Sequence, residues 1–262
     1  MGFQGQNRVA VITGASSGIG EAIAYGMAEA GFRLALGARR KERLEQVAQQ
    51  IAERWKTEVY IAELDVTRRE SAEAFVKGVV GHFQQVNILV NNAGLARGTA
   101  HVAEVTDETD WQEMLETNVM GLLRMTRLIL PHIQTSTSGH IINIGSIAGH
   151  EAYAGGSVYC GSKFAVRAIT DALRQELLGQ PIRVSTIDPG MVETEFSVVR
   201  YHGDKSKADA VYAGMQPLTA SDIADCVVYA ATRPQHVNID MIVVKPTDQA
   251  GAGKVARHPV QE

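Results

Sequence analysis

The chain has little of what marks several protein classes. Only two cysteines occur in 262 residues, Cys160 and Cys226, far apart and outside any metal-ligand spacing. A reduced, cytoplasmic protein is the expectation. The eight histidines are scattered and no HExxH pair exists, so no metal site is expected. Dense basic runs are absent and the formal net charge is -4, which argues against a nucleic-acid or anionic-membrane surface. Arg39-Arg40-Lys41 is the nearest approach to such a run. No stretch has transmembrane length, and the opening MGFQGQN lacks a basic segment followed by an apolar one. Met1-Gly2 fits an acylation signal, but Gln6 stands where Ser or Thr is required, so no myristoyl group is expected. Internal repeats and low-complexity linkers are absent.

What remains is an ordinary globular composition, 45% hydrophobic and 21% charged, in a chain long enough for one large domain, 1–262. Apolar runs alternate with helical patterns from end to end. Strands are expected at Arg8–Thr13, Leu34–Ala38, Val59–Leu64, Ile88–Val90, His140–Ile144, Arg183–Ile187 and Met241–Val244. Helices are expected at Glu21–Ala30, up to Glu53, at Ser71–Phe83, Trp111–Ile133 with Thr109 or Asp110 as its cap, Ser157–Leu178 and Ser221–Ala231. This order predicts an α/β fold: one doubly wound parallel sheet of Rossmann type with helices on both faces. The 189–217 stretch reads as an irregular substrate loop, and 246–262 as a surface extension that reaches a neighbouring subunit.

Between the first strand and helix lies Gly14-Ala15-Ser16-Ser17-Gly18-Ile19-Gly20. Strand, glycine turn and helix together aim backbone N–H groups and a helix N-terminus at a phosphate. The turn lacks the Lys-Ser/Thr ending of a nucleoside-triphosphate loop. At the end of the second strand, where a carboxylate would bond a ribose 2′-hydroxyl, stand Ala38, Arg39 and Arg40. Two guanidiniums and no carboxylate favour a 2′-phosphate, hence NADP over NAD. Arg39, first after the strand, takes that role; Arg40 and Lys41 equally fit a solvated helix start. Asp65 and Asn91 fall at strand C-terminal ends, where such sheets bind ligands.

The segment from His140 to Val166 carries the chemistry. Ser146 follows a buried strand, and Tyr159 and Lys163, four residues apart, share one face of a helix. A phenol of ordinary pKa, about 10, must fall by roughly three units, about 4 kcal/mol, to act as a base near neutrality. A neighbouring ammonium is the kind of charge that produces such a fall. With Ser146 holding a carbonyl or alcohol oxygen beside the phenol, this is a proton-transfer site for an alcohol/ketone pair. Cys160 points off that face and reads as a packed thiol. Asn118, a mediocre helix former inside a helix, either faces water or bonds something specific.

TGASSGIG (13–20), NNAG (91–94), Asn118, Ser146, Tyr159-x-x-x-Lys163 and Pro189-Gly190, in that order, resemble the short-chain dehydrogenase/reductase family over essentially the whole chain. The resemblance implies Tyr159 as general acid/base, Lys163 on the nicotinamide ribose, Ser146 polarising the substrate oxygen and Asn118 holding a water relay. It implies cofactor contacts from Gly14, Ser16, Ser17, Gly18, Ile19 and Gly20 in the turn, with Asp65 and Val66 against the adenine. Asn91, Ala93 and Gly94 would follow the ribose and pyrophosphate, and Pro189, Gly190, Val192 and Thr194 would approach the carboxamide. The segments 145–166 and 189–204 and the KPTDQA ending are similar to NADP-dependent 3-hydroxy acid dehydrogenases of the serine and allo-threonine type. A substrate carboxylate then needs a cation, and Arg200 is the candidate, against its reading as a surface arginine. Tyr153 and His150 are placed near the same pocket. Related sulfoacetaldehyde and other aldehyde reductases, 3-oxoacyl or bulky-ketone reductases, and an NADP(H)-binding sensor without catalysis are the other readings. A homotetramer is what the resemblance implies for assembly.

Overall fold

The computed structural model describes Gly5 and residues 7–259. The Met1-Gly2 and Gln6 expectation, and the last three residues of the extension, lie outside the described residues. The chain begins β1 (Val9–Thr13), α1 (Gly18–Glu29), β2 (Arg33–Ala38), α2 (Lys41–Trp55), β3 (Val59–Glu63), α3 (Arg69–Phe83) and β4 (Ile88–Asn91). It continues α4 (Thr109–Leu115), α5 (Leu122–Gln134), β5 (Gly139–Ile144), α6 (Ser157–Glu176) and β6 (Ile182–Pro189). The last elements are α7 (Glu195–Arg200), α8 (Lys205–Ala210), α9 (Ala220–Ala231), β7 (Met241–Val244) and a hairpin of β8 (Gln249–Gly251) and β9 (Lys254–Val255).

Seven parallel strands form one sheet in the order β3-β2-β1-β4-β5-β6-β7. All five residues of β1 are buried, so the strand needs apolar side chains on both faces. The period of two then sorts them. Ala10 and Ile12, with Leu34 and Leu36 of β2, meet α1, α2 and α9, while Val9, Val11 and Ala35 meet α3, α5 and α6. The sheet is therefore doubly wound as expected. Strand order reverses at β1, which pairs with β2 on one side and β4 on the other. The C-terminal ends of β1 and β4 thus open the crevice where such sheets hold ligands.

Two local expectations need correction. The 111–133 helix is two helices joined by a π-helical turn, Glu116–Gly121, and its start is capped by neither Thr109 nor Asp110. Instead the Asp107 carboxylate accepts from the N–H and the hydroxyl of Thr109, at 2.9 and 2.7 Å. The 189–217 stretch is not irregular throughout. Thr194 and Asp204 accept from the N–H groups of Phe196 and Lys207, at 3.2 and 3.1 Å, and so start α7 and α8. The described part of the segment after Pro246 lies at the surface against the 189–217 stretch. Its polar groups find partners in the loop: Arg257 donates to the carbonyls of Val211 and Ala213, and the Gln249 amide oxygen accepts from Met191 N–H at 2.8 Å.

Candidate active site

A cleft of about 490 Å³ runs along the C-terminal ends of the strands. Its floor begins with the glycine turn. Gly18 has φ +56°, a left-handed backbone that admits a side chain poorly. A methyl group at Gly20 would collide with the Gly14 carbonyl and the Asn92 amide, so that position is closed to any Cβ. Asn92 donates to the carbonyls of Thr13 and Gly14 at 2.9 and 3.2 Å. The Thr13 hydroxyl accepts from the N–H groups of Asn92 and Ala93, each at 3.0 Å, and so stitches the two turns together. Thr13 and Asn92 were not singled out from the sequence, because their work is to hold backbone and their side chains carry no charge.

Arg39 is exposed at one end of this cleft and Arg40 lines it beside the turn. Arg40 donates to the hydroxyls of Ser16 (3.3 Å) and Ser17 (2.5 Å) and to Glu195 (2.8 Å). Arg43 donates to the same carboxylate at 2.7 Å. Hydrogen bonds from Arg43 and Arg40 hold Glu195 below the usual carboxylate range. Arg43 and Glu195 are additions to the sequence reading. Their meeting, 152 residues apart in sequence, is a product of the fold alone. Asp65 accepts from the N–H and hydroxyl of Thr67 at 2.9 and 2.7 Å. Val66 packs against Gly121 of the π turn, and both Asp65 and Val66 line the cleft.

At the other end, α6 presents Tyr159 and Lys163, 9% and 7% exposed, with Ser146 beside them. Ser146 has extended backbone and caps the short turn 147–149 by accepting from Ala148 N–H at 3.1 Å. Burial pushes the Tyr159 phenol up; the Arg200 cation, and then a hydrogen bond with Ser146, pull it down. The expected source of the downward pull was Lys163. Its ammonium is instead turned to the Ile144 carbonyl at 3.0 Å and lies 6.0 Å from the centre of the Tyr159 ring. Burial lowers Lys163 itself to about 8, against an opposing pull from Asp188. Arg200 sits 5.1 Å from the Tyr159 ring centre and 5.3 Å from that of Phe196. It donates to the Tyr153 hydroxyl at 3.3 Å, while its buried Nε–H has no partner among the described residues.

Asn118, in the π turn, is 2% exposed. It accepts from Leu95 N–H at 2.9 Å and donates to the Leu95 carbonyl at 2.8 Å and to Ser162 at 3.0 Å. A π turn is wider by one residue than an α turn and often marks a functional site. Here it turns an amide inward to pair with a loop backbone. The Asn118 oxygen and the Lys163 ammonium both face Gly94, where a methyl group would meet them at 3.3 and 3.7 Å.

The fold gathers nearly all the residues singled out from the sequence along this one cleft. Asn91 and Asn118 are outside its lining. The Asn91 amide is turned into the protein, donating to Thr126 and Asn143 at 2.9 Å each. His150, expected near the substrate, faces away and meets Asp188 at 2.5 Å. Cys160 is packed with Leu95, Met114 and Ala148, as expected of a structural thiol. Among the described residues no helix is long and apolar enough to cross a membrane.

An open parallel sheet with a glycine turn at its switch point, and a buried Tyr and Lys with a half-buried Ser beside it, defines a dinucleotide-dependent oxidoreductase. The family model for short chain dehydrogenase matches residues 8–204, and the chain belongs to that family. It is 44% identical to an NADP-dependent 3-hydroxy acid dehydrogenase of Schizosaccharomyces pombe, over 94% of this chain and 95% of that one. It is 42% identical to Sulfoacetaldehyde reductase 2 of Chromohalobacter salexigens, over 92% and 95%. Among solved structures, the closed form of serine dehydrogenase complexed with NADP+ superposes with a TM-score of 0.87 at 39% identity. The match covers 95% of this chain and 99% of that one.

Proposed function

We propose that this protein interconverts a small 3-hydroxy acid and the corresponding aldehyde or keto acid with NADP(H). The observation that carries the reading is the Arg200 guanidinium on the wall of the cleft, 5.1 Å from the centre of the Tyr159 ring. A cation fixed beside the proton-transfer group suits a substrate whose anionic end lies near the reacting carbon.

The residues fit the dinucleotide. The turn at Gly14, Gly18 and Gly20 leaves main chain bare for a pyrophosphate, and the adenosine end offers Arg39 and Arg40 with no carboxylate from β2. Ser16, Ser17 and Ile19 belong to the same turn, Asp65 and Val66 would flank the adenine, and Ala93 and Gly94 the ribose. Pro189, Gly190, Val192 and Thr194 would close over the carboxamide end. When bound, NADP(H) supplies or accepts a hydride at the nicotinamide. Tyr159 then takes the proton from the substrate alcohol, or returns it to the carbonyl oxygen, and Ser146 holds that oxygen by a hydrogen bond. Arg200 supplies the nearest positive charge that favours the phenolate, with Lys163, 6.0 Å from the ring centre, as the second cation beside it. Asn118 and Lys163 face the same space beside Gly94, which supports a water there passing protons between Lys163 and solvent. Tyr153 orients Arg200.

A second reading is favoured by the similarity to a sulfoacetaldehyde reductase: a sulfonate is an anion that Arg200 would hold in the same way. A cytoplasmic homotetramer completes the proposal. Two free thiols support the reducing compartment, and exposed Leu115 and Met120 around the π turn and Phe164 on α6 support burial against a second copy. The test is an NADP(H) rate profile over serine, 3-hydroxyisobutyrate, 3-hydroxypropionate and sulfoacetaldehyde, with a bulky neutral ketone as control. A hydroxy acid should give the highest kcat/KM. A preference for the ketone overturns the anion reading, and tight NADPH binding without turnover of any of them leaves a sensor.

A further inference from the structure

Behind Lys163, on the side away from the cleft, lies a buried carboxylate that the mechanism above does not use. Asp188, on β6 just before Pro189, is 2% exposed. The Thr186 hydroxyl donates to one of its oxygens, and His150 Nε2 lies 2.5 Å from the other. The second ring nitrogen of His150 lies 3.2 Å from an Nη of Arg167. A guanidinium can only donate, so His150 Nδ1 must accept; the proton therefore sits on Nε2 and is given to Asp188. The chain Arg167–His150–Asp188 is thus fully ordered in its donors and acceptors, and it fixes where the carboxylate points. Gly145 is part of the same construction, since a methyl group there would collide with Asp188 and lie 2.9 Å from the Thr186 hydroxyl. Lys163 donates to the carbonyl of Ile144, the residue next to Gly145. The ammonium and the carboxylate thus approach adjacent residues of main chain, Ile144 and Gly145.

We propose that Asp188, aimed by His150 and Arg167, is the positioning counter-charge that keeps Lys163 protonated while it serves Tyr159. This rests on the reading of Lys163 given under the proposed function. Burial alone drives the Lys163 ammonium toward its neutral form, and of the surrounding charges Asp188 is the one that opposes this. The other titratable or charged groups on this side are His150 from the turn after β5 and Arg167 from α6 itself. On the cleft side they are Tyr159 and, over it, Arg200 from α7. None of these is a second carboxylate. A neutral Lys163 at working pH would leave the phenol with one cation fewer.

The experiment replaces the carboxylate and follows the ammonium. In Asp188→Asn the alkaline limb of kcat/KM, where Lys163 loses its proton, should move down by about one pH unit or more. The Lys163 signal in protein carrying 15N at lysine Nζ, assigned with Lys163→Met, should titrate lower by the same amount. An Asn oxygen can accept from His150 Nε2–H while its NH2 donates to the Thr186 hydroxyl, which must then rotate to accept, so the variant keeps the local bonds only if that hydroxyl turns. Asp188→Ser, smaller and with an acceptor oxygen, carries the same prediction. His150→Gln can keep both hydrogen bonds of the chain and should leave the limb in place, whereas His150→Leu should shift it. If a folded Asp188 variant keeps both the limb and the Lys163 titration at their original pH, the proposal is overturned. The nitrogen titration needs no turnover, so failure of the hydroxy-acid reading leaves this test intact.

Discussion

The guanidinium of Arg200 lies over the ring of Tyr159, 5.1 Å from its centre, although the two residues belong to different helices, 41 positions apart in the sequence. That contact ties α7, within the 189–217 stretch, to α6, which carries Tyr159. Gly98 N–H donates to the Arg200 carbonyl at 2.8 Å, and Arg97, paired with Glu113 at 2.7 Å, donates to the carbonyl of Val199 at 2.7 Å. The end of α7 is thereby pinned by the Arg97-Gly98 segment, and Arg200 is held over Tyr159 by main chain as well as by its own side chain.

Arg200→Ala should raise KM for carboxylate or sulfonate substrates about 100-fold, the value of one or two charge-assisted hydrogen bonds in a desolvated site. For a neutral aldehyde of the same size KM should change by no more than about threefold. Steady-state kinetics on matched charged and neutral substrates checks this; an equal loss on both would assign Arg200 to packing.

Arg39→Glu should weaken NADP binding by roughly 100-fold or more while changing NAD binding by less than about tenfold, because the new charge repels only the 2′-phosphate. Titration of each dinucleotide against the variant gives both constants. An unchanged preference would move the phosphate contact to Arg40 and Arg43.

Lys163→Met should make the protein more stable and inactive. The folded value of about 8 lies below the ordinary 10.5, so the unfolded chain holds this proton more tightly between those values. The folded state therefore bears the full cost below pH 8, and stability recovers as pH rises from 8 towards 10.5. At pH 7 the cost is about 3 kcal/mol, less roughly 1 kcal/mol for the lost bond to Ile144. Unfolding curves should show a gain of a few degrees at pH 7 that shrinks at pH 10.

Asn118→Ala should destabilise the fold by about 2–4 kcal/mol, because it leaves both the N–H and the carbonyl of Leu95 without their partner. Denaturant unfolding measures this directly. A change under about 0.5 kcal/mol would show that water replaces the amide freely.

The strands, their order of alternation with helices, and the Ser146, Tyr159, Lys163 cluster were legible because each rests on local pattern: buried β-branched runs, glycines where Cβ is barred, and a four-residue helical spacing. Other features depend on contacts that no local pattern encodes. The π turn at 116–121 exists because Asn118 must reach Leu95, and helical periodicity does not reveal one extra residue in a turn. Arg43 reads as an ordinary surface residue of α2 until the fold brings Glu195 onto it. His150 was misplaced because its sequence position beside the catalytic turn says nothing of its direction, which Asp188 and Arg167 decide. The 246–262 segment reads as a surface extension because its composition is polar, and that composition does not tell which carbonyls Arg257 meets, those of Val211 and Ala213.

The account stands most directly on Tyr159→Phe, which removes one hydroxyl and keeps the ring against Phe196 and Arg200. Turnover of the best hydroxy acid should fall at least about 100-fold, to about 1% or less, while NADPH binding by fluorescence titration changes less than about threefold. Retention of a tenth or more of the activity, with the cofactor still bound, would contradict proton transfer by Tyr159.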